Sequence, residues 1–408
     1  MSNSKKLLSL FSGCGGMDLG FEGNFTVPSA CINWDMHPNE WYTSLDEHRV
    51  KLNKNSFETV FANDILPYAE AAWKTFFKSQ GKDVEHIFHT TSIVELVKRH
   101  QAGEYVFPEN VDVVTGGFPC QDFSVAGKRG GFQSHKNHNN KIDGEVSSEE
   151  SRGSLYLWMR QVIEITNPKV FVAENVKGLI SLGDAKRIIE EDFRTVGSGY
   201  LVVPAKVLTA ANYGVAQNRE RIIFIGLNKA FLKPGIIARI EVGEIDVYPP
   251  KTHSAEPTGL QHHFTKSKQV LSNLKEPETT LDPAQAKYSK AKYCKGTQGQ
   301  TEVNQEGLAP TIRAEHHGNI EYRRLRAEYG GKNRNELAQG LIERRLTVRE
   351  CARIQSFPDE YEFVFTKKNH DYSLSASGAY KVIGNAVPPL MAFNIAKHLE
   401  SIWETIFD

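Results

Sequence analysis

The stretch Lys6-Leu7-Leu8-Ser9-Leu10-Phe11-Ser12-Gly13-Cys14-Gly15-Gly16 decides the fold class of this chain. Its first half is a short apolar run, which is typical of a β-strand covered on both faces. Its second half is a glycine-rich turn, and Met17 to Glu22 then have a helical pattern. A turn of this kind lets the backbone approach a ligand closely and presents helix N–H groups to it. The glycine pattern is weak by itself, because a tight turn that binds nothing can have the same sequence.

Further apolar runs repeat this arrangement along the chain, at residues 111–115, 169–173 and 221–227. Helical patterns lie between the runs, for instance from Leu155 to Thr166, and a final amphipathic helix is expected over about 390–406. Strands that alternate with helices predict an α/β protein with a doubly wound, mostly parallel, Rossmann-like sheet. Ligands of such sheets bind at the carboxyl ends of the strands. The glycine turn, Cys120 and Glu174 all follow predicted strands, so we expect the site at that edge.

The alternation of strand and helix patterns ends near residue 228, where the sequence becomes polar and rich in proline. This change predicts a second, smaller, loop-rich domain over residues 228–345. Residues 1–227 and 380–408 would form the catalytic and cofactor-binding domain, and 346–379 would connect the two. The second region carries 19 basic and 14 acidic residues, whereas the whole chain balances at 49 of each. A basic excess suits a polyanionic partner, although a solvated charged surface looks the same.

A nucleotide-like cofactor usually needs a polar residue at the end of the second strand, where it binds ribose hydroxyls. Asn33 and Asp35, in Ile32-Asn33-Trp34-Asp35, are the candidates. Trp34 could stack on an adenine ring, and a core tryptophan is the alternative interpretation.

Cys120 follows Pro119 in a constrained turn directly after a predicted strand. An inert buried cysteine is the ordinary alternative. Glu174 ends another strand at the same predicted edge. A thiol and a carboxyl in one cleft favour a catalytic site over an inert cysteine.

Gln217-x-Arg219-x-Arg221 puts three long polar side chains at alternate positions, hence on one face of an entering strand. Two arginines so close together predict contact with an anion. A charge pair on the surface is the alternative.

Together these segments resemble the C5-cytosine-specific DNA methyltransferases of bacterial restriction–modification systems, over nearly the whole chain and in the family's order. The motifs that carry the resemblance are Phe11-x-Gly13-x-Gly15-Gly16, Asn63-Asp64-Ile65, Gly116-Gly117-Phe118-Pro119-Cys120-Gln121-Asp122-Phe123-Ser124, Arg152-Gly153-x-Leu155, Glu174-Asn175-Val176, Gln217-x-Arg219-x-Arg221, Arg344-Arg345-Leu346-Thr347-Val348-Arg349-Glu350 and Gly384-Asn385-Ala386-Val387-Pro388-Pro389. The cysteine loop and the last two strings are the most specific of them.

The resemblance implies S-adenosylmethionine as the cofactor. The residues expected to bind it are Phe11, Gly13, Gly15, Gly16, Asn33, Trp34, Asp64, Ile65, Phe118, Asn385 and Ala386. Two features depart from the family pattern. Asn33 stands where the family commonly has Glu, so either Asn33 or Asp35 would contact the ribose. Residues 66–110 exceed the usual spacing, which we interpret as an inserted helical excursion. The resemblance implies that Asp64, in Asp64-Ile65, contacts the adenine of the cofactor, and Ser92-Ile93 is a rival for this position although it lacks the acid.

The implied chemistry is methyl transfer to C5 of cytosine within a specific double-stranded DNA sequence. The thiolate of Cys120 would add to C6 of the base, and Glu174 would relieve charge at N3. Arg219 and Arg221 would fix the carbonyl and a phosphate of a base that must flip out of the duplex. The irregular segment of residues 133–150 follows Cys120 closely, so it is either a mobile lid or a surface insertion. By resemblance, residues 228–345 would read the DNA sequence. The residues expected to contact DNA are Ser124, Gln217, Thr311, Arg313 and Arg323.

Composition limits the other functions that this chain could have. Five cysteines without a Cys-x-x-Cys pair argue against a disulfide framework or a cysteine zinc site, and the histidine pairs lack further ligands, so no metal is expected. No apolar stretch approaches the roughly 20 residues of a membrane span, and a cytoplasmic monomer is expected. A cognate restriction endonuclease could act on the same site without stable contact. The alternatives are an RNA (tRNA) cytosine methyltransferase, a non-catalytic DNA-binding paralogue and a nicotinamide oxidoreductase.

Overall fold

A computed structural model of the protein describes residues 4–119, 155–289, 302–314, 320–323 and 334–408. Its strands are β1 (Lys5–Leu10), β2 (Phe25–Pro28), β3 (Tyr42–Ser44), β4 (Arg49–Leu52), β5 (Phe57–Asn63), β6 (Phe88–His89), β7 (Val113–Gly116), β8 (Val170–Val176), β9 (Tyr200–Thr209), β10 (Glu220–Asn228), β11 (His253–Ser254), β12 (His262–His263), β13 (Glu321–Arg323) and β14 (Arg344–Arg345). Its helices are α1 (Gly16–Glu22), α2 (Pro67–Ser79), α3 (Val84–Ile87), α4 (Ile93–Gln101), α5 (Leu155–Thr166), α6 (Ala185–Arg194), α7 (Ile236–Glu241), α8 (Ser267–Leu271), α9 (Arg334–Ala338), α10 (Val348–Ile354), α11 (Ala376–Asn385) and α12 (Pro389–Ile406).

The central sheet has seven strands in the order β6-β5-β1-β7-β8-β10-β9. All neighbours are parallel except β10, which is antiparallel to both β8 and β9. The sequence prediction of a mostly parallel, doubly wound sheet is therefore confirmed. The four predicted strands correspond to β1, β7, β8 and β10, and the helix predicted from Leu155 to Thr166 is α5.

The two faces of the sheet are covered by different apolar clusters. Leu7 and Val170 belong to the cluster that contains α1, α2 and α12, while their neighbours Leu8 and Phe171 belong to the cluster with α4, α5 and α6. Successive side chains of a strand point to opposite faces. Because both faces are buried, apolar residues occupy successive positions of these strands rather than alternate ones.

The strand that pairs with β1 on the side of β6 is β5, and it ends at Asn63. We had expected the second strand to end at Asn33, and that expectation is wrong. Residues 25–52 instead form a separate three-stranded antiparallel sheet in the order β2-β4-β3. The apolar pattern near residue 30 could not distinguish these outcomes, because strand pairing is not a local property of the sequence.

The segment of residues 66–110 is likewise not a helical excursion. It contains α2, α3 and α4 together with β6, which extends the central sheet next to β5. The additional structure between β1 and its neighbour is instead the small sheet of residues 25–52.

The described residues of 228–345 have only short helices and strands, as the proline-rich sequence indicated. Several of their apolar side chains, including Val247, Val270 and Ile312, belong to the same buried cluster as α10, α11 and α12. This region therefore packs directly on the C-terminal helices.

Candidate active site

A cavity of about 860 Å³ opens at the carboxyl ends of β1, β5, β7 and β8. Its wall includes the β1–α1 turn, the end of β5, the end of α11 and residues 311–314. This is the edge at which parallel sheets bind ligands, because the loops that follow the strands converge there.

The β1–α1 turn forms one wall with Phe11, Ser12, Gly13 and Gly16. A side chain at Gly13 would meet no heavy atom within 4 Å, so its backbone is open to the cavity. Gly16 is required for another reason, since an added Cβ would lie 2.2 Å from the backbone oxygen of Val387. Gly15 does not line the cavity; its φ of 73° starts α1, and an added Cβ would lie 2.6 Å from Trp73.

Asp64, at the end of β5, lies next to this turn and lines the cavity. One oxygen accepts a hydrogen bond of 2.9 Å from the Gly13 N–H, and the other accepts one from the Leu66 N–H. Burial raises the pKa of Asp64, although these N–H groups and the charge of Lys381 oppose the rise. An acid at the end of the strand beside β1 has the position from which ribose hydroxyls are usually bound.

Ile65, Phe118, Asn385 and Ala386 also line the cavity. So do Ser92 and Ile93, which follow β6 and begin α4. Asp64-Ile65 and Ser92-Ile93 thus follow adjacent strands of the sheet and are not rivals for one position.

Asn33 and Trp34 are not part of the cavity wall, in contrast to our expectation. The Asn33 amide is buried and donates hydrogen bonds to the carbonyl oxygens of Thr252 (2.6 Å) and Leu260 (2.8 Å). Trp34 is 43% exposed and packs edge-on against Tyr42. Asp35 bonds to His262 at 2.9 Å. These residues lie on the connection between β2 and β3 of the small sheet, not at an end of the central sheet.

Glu174 and Arg221 meet at the cavity from neighbouring strands. β8 and β10 pair with Val176 opposite Arg221, and the Arg221 Nε lies 2.6 Å from the Glu174 Oε1. Glu174 is nearly buried, and an added Cβ at Gly117 would come within 3.0 Å of its Oε2. The carboxyl is thereby held between a guanidinium and the backbone that leads towards residue 120.

Asn175 connects β8 to the same loop, because its amide donates a hydrogen bond of 3.3 Å to the Phe118 carbonyl oxygen. Cys120, the predicted nucleophile, and Ser124 lie outside the described residues. So do Arg152, Gly153 and the segment 133–150. Phe118 and Pro119, which immediately precede Cys120, both line the cavity.

Arg219 and Gln217 do not line the cavity, although sequence spacing grouped them with Arg221. Both are fully buried. The Arg219 guanidinium donates to the carbonyl oxygens of Ile312 (3.0 Å) and Gly384 (2.9 Å). Arg219 is therefore not placed as a catalytic residue would be, and Gln217 is not placed to contact DNA.

Thr311 and Arg313 line the cavity, and Arg323 does not. Arg323 is buried with Glu276 at 2.7 Å and Glu336 at 2.6 Å, so its charge is neutralised inside the protein. Although burial opposes it, the hydrogen bond and charge of Arg323 hold the pKa of Glu276 below its usual range. Arg323 is thus an internal ion-pair residue and not a candidate for base contact.

Sequence reasoning missed Lys177 and Lys381, two lysines in the cavity wall. Lys177 follows Glu174-Asn175-Val176, and Lys381 lies about one helical turn before Gly384-Asn385. Their proximity to these motifs was the available signal. In the part of the chain that the structure describes, no cluster of His, Cys, Asp and Glu could hold a metal ion.

A doubly wound sheet with a glycine turn and an acid at adjacent strand ends defines an enzyme of the nucleotide-cofactor class. The model of the C-5 cytosine-specific DNA methylases matches residues 5–401, and this chain belongs to that family. It is a DNA (cytosine-5-)-methyltransferase, and the resemblance drawn from its motifs is confirmed.

Curated relatives agree with this assignment. The Type II methyltransferase M.BsuRI of Bacillus subtilis is 30% identical over 397 residues, which cover 96% of this chain and 78% of the relative. The Type II methyltransferase M.NgoFVII of Neisseria gonorrhoeae is 31% identical over 425 residues, which cover 100% and 89%.

Solved structures support the fold alone. The Dnmt2 methyltransferase of S. pombe gives a TM-score of 0.54 at 16% identity and covers 98% of this chain and 99% of its own. The Entamoeba histolytica methyltransferase EhMeth gives 0.57 at 14% identity with the same coverage. Among the described residues, no helix has the length and apolar character that crossing a membrane requires.

Proposed function

We propose that this protein transfers a methyl group from S-adenosylmethionine to C5 of cytosine within a specific double-stranded DNA sequence. We propose further that it is the modification enzyme of a restriction–modification system, which its similarity to proteins named Type II methyltransferases supports. One observation carries the proposal: the Glu174–Arg221 pair lies in the same cavity as the glycine turn and Asp64. A reacting base and a cofactor could therefore meet in that cavity.

The residues of the cavity fit S-adenosylmethionine. The open backbone at Gly13 and the acid at Asp64 suit the polar parts of such a molecule, and Ile65 and Phe118 supply apolar surface for its adenine. Asn385 and Ala386 would complete the wall. Asp64 would hold the ribose, and Ser92-Ile93 would approach the adenine from the next strand. When bound, S-adenosylmethionine supplies an electrophilic methyl group.

C5 of cytosine is a poor nucleophile because its ring is aromatic and electron-poor. The thiolate of Cys120 would form a bond to C6, and the C5–C6 π electrons would move so that C5 becomes enamine-like and nucleophilic. After methylation, loss of the C5 proton and departure of the thiolate restore the aromatic ring.

Glu174 would hydrogen-bond to N3 of the cytosine and supply a proton as negative charge builds on the ring. Arg221 would hold the Glu174 carboxyl in place through its contact of 2.6 Å and would contribute positive charge near the thiolate. A nearby cation lowers the pKa of a cysteine, which increases the fraction of reactive thiolate.

The cytosine must leave the duplex to reach Cys120, at an unstacking cost of a few kcal/mol. Arg313 and Thr311, at the cavity wall, would contact the DNA around the flipped base. Among the described residues no hydrogen bond or ion pair occupies Arg313, so its guanidinium is available for a phosphate or a base edge. The region 228–345 would select the sequence.

Methylation of plasmid DNA by the purified protein, followed by bisulfite sequencing, tests the central proposal. We expect methylcytosine in one sequence context and none in tRNA offered under the same conditions. Glu174→Gln, which removes a proton donor and keeps the shape, should lower kcat by about 10² or more. Absence of methylcytosine with the wild-type protein would overturn the proposal.

Covalent trapping tests the role of Cys120 separately. DNA that contains 5-fluorocytosine cannot lose a C5 proton, so the wild-type protein should remain bound to it covalently. Cys120→Ser should form no such complex and should not methylate, whereas Cys351→Ser, at a buried cysteine that does not line the cavity, should behave as wild type. A trapped complex with Cys120→Ser would assign the nucleophile to another residue.

A further inference from the structure

Three fully buried polar side chains lie between two parts of the cavity wall. Gln217, Arg219 and Gln355 have no exposed surface, and none of them lines the cavity. The two parts are residues 309–314, here called the strip, and residues 383–387, here called the α11 end. Burial of a polar group costs free energy unless the group forms hydrogen bonds, so each of these three side chains must find partners inside the protein.

Gln217 holds the strip. Its Oε1 accepts a hydrogen bond of 3.1 Å from the Ile312 N–H, and residue 217 forms a β-bridge with Ala309. The neighbouring Asn218 carbonyl accepts a hydrogen bond of 2.5 Å from the Thr311 hydroxyl. Three successive contacts therefore fix the strip to the segment before β10.

Gln355 holds the α11 end and joins it to Gln217. Its Nε2 donates to the carbonyl oxygens of Ile383 (2.8 Å) and Ala386 (3.1 Å), and its Oε1 accepts from the Gln217 Nε2 at 2.6 Å. The position of Gln355 is itself fixed, because this residue is the C-cap of α10.

Arg219 bridges the same two parts directly, from the Ile312 carbonyl oxygen to that of Gly384. The backbones touch at this point, since an added Cβ at Gly384 would lie 2.4 Å from the Ala314 nitrogen. The strip and the α11 end are thus connected by side-chain hydrogen bonds and by backbone contact.

We propose that Gln217, Arg219 and Gln355 are positioning residues that hold the strip and the α11 end as one unit. This inference rests on the proposed function, in which Thr311 and Arg313 of the strip face DNA and Asn385 and Ala386 of the α11 end face the cofactor. One hydrogen-bonded network joins both walls of the cavity. A ligand that restrains one wall therefore also restrains the other, and the second ligand loses less conformational entropy when it binds. Binding of cofactor and binding of DNA are therefore coupled through these residues.

The test measures that coupling as a ratio of affinities. S-adenosylhomocysteine binding is titrated calorimetrically with and without a duplex that carries the site found by bisulfite sequencing, and the duplex is then titrated with and without S-adenosylhomocysteine. For the wild-type protein we expect each ligand to tighten the other by the same factor, of about 5 to 150.

Gln355→Met keeps the length of the side chain and removes all three hydrogen bonds. Because the Arg219 bridge and the backbone contact remain, we expect its coupling factor to fall by about threefold rather than to vanish, and Gln217→Met to give the same result. The double variant should lose no more coupling than either single variant, since both interrupt one connection. Asn228→Ala is the matched control, because Asn228 is equally buried and bonded but lies at the opposite end of β10. It should leave the coupling factor unchanged.

Each outcome has a distinct meaning. If the wild-type protein binds neither ligand, the proposed function itself fails. If folded Gln355→Met binds both ligands with undiminished coupling, or if the two single losses add in the double variant, the network does not carry the coupling. Should the glutamine variants fail to fold, Thr311→Val removes only the exposed hydroxyl hydrogen bond to the Asn218 carbonyl oxygen. That variant should then lower the coupling, and an unchanged value would overturn the inference.

Discussion

Arg219 and Arg221 are separated by one residue, yet the tertiary structure gives them different surroundings. Arg221 pairs with Glu174 across two strands at the cavity, whereas Arg219 is buried and spans two backbone carbonyls. The segment before β10 is not a regular strand at Arg219, so the alternate spacing does not put both side chains on one face. A guanidinium has five donors in a rigid fork, which suits it to either role.

Asp18, in the first turn of α1, is a fully buried acid that no step of the proposed mechanism uses. Its two oxygens accept hydrogen bonds from the Ser9 hydroxyl (2.5 Å) and the Trp73 indole N–H (2.7 Å). Burial raises the pKa of Asp18 to about 7, although both hydrogen bonds lower it. The folded protein therefore binds a proton that the unfolded chain releases at lower pH.

We predict that Asp18 makes the free energy of unfolding fall as the pH rises from about 4 to about 7. Below this window the side chain is protonated in both states, and above it the folded state must hold a buried charge. Asp18→Asn removes this dependence. As the pH rises from about 4 to about 7, the free energy of unfolding of the variant should therefore increase relative to that of wild type by up to about 4 kcal/mol.

Urea unfolding of both proteins at pH 5 and pH 8 measures the effect. Asn228→Ala, which deletes a neutral buried amide, should shift stability equally at the two pH values. A constant difference between Asp18→Asn and wild type would contradict the prediction.

At the scale of elements, the contact between α1 and α12 connects the glycine turn to the C-terminal helix. Gly20 of α1 lies against the backbone of α12, and an added Cβ would come within 2.4 Å of the Ala392 Cβ and 2.5 Å of the Pro389 oxygen. α1 begins at Gly16, which is in turn packed on Val387. The position of the cavity wall thus depends on how closely these two helices approach.

Gly20→Ala should destabilise the protein by about 1–3 kcal/mol, because the added methyl group overpacks a backbone contact. Helix propensity alone predicts the opposite sign, a gain of about 1 kcal/mol. Gly378→Ala in α11 is the matched control, since its nearest neighbour is the ring of the exposed Tyr68, which can turn aside. Thermal unfolding measures both variants. A Gly20→Ala protein as stable as wild type would show that α12 can move away at little cost.

A second element is the segment of residues 344–350, which contains the motif Arg344-Arg345-Leu346-Thr347-Val348-Arg349-Glu350. Its buried contacts give this segment a structural role rather than a catalytic one. Thr347 caps α10 and exchanges hydrogen bonds with Glu350. Arg344, buried, forms two hydrogen bonds of 2.9 Å to Glu350. This motif joins the region 228–345 to α10, which in turn carries Gln355.

At the scale of the whole molecule, three distant segments meet at a pair of buried histidines. His37, on the connection between β2 and β3, contacts Asn394 of α12 at 3.2 Å, and His253 bonds to Thr252 at 2.9 Å. His262, which is paired with Asp35, lies beside His253. Burial lowers the pKa of His37 to about 4 and that of His253 to about 3. Both are therefore neutral in the folded protein at neutral pH.

Acid should consequently destabilise the protein at this junction. As the pH falls below about 6.5 the unfolded chain binds protons that the folded state cannot accept, so stability is lost until the pH reaches the folded-state pKa, which is about 4 for His37 and about 3 for His253. His253→Gln should recover about 2 kcal/mol of the stability that wild type loses between pH 7 and pH 5. His48→Gln, at an exposed histidine, is the control and should follow wild type. Equal acid midpoints for wild type and His253→Gln would contradict this assignment.

The sequence by itself determined the fold class, the strands β1, β7, β8 and β10, and the edge of the sheet at which the cavity lies. Apolar runs, glycine turns and helical periodicity are local signals, and each is contained within about ten residues of chain. The motif strings also identified Glu174, Arg221 and Asp64 as neighbours of one site.

Only the tertiary structure decided which segment pairs with β1, and therefore that Asp64 rather than Asn33 ends the neighbouring strand. It also decided that Arg219, Gln217 and Arg323 are internal while Arg221, Arg313 and Lys381 face the cavity. Strand pairing and side-chain partners depend on residues that are distant in the chain. A local pattern specifies what kind of element a segment forms, but the partner of that element is chosen by packing over the whole molecule.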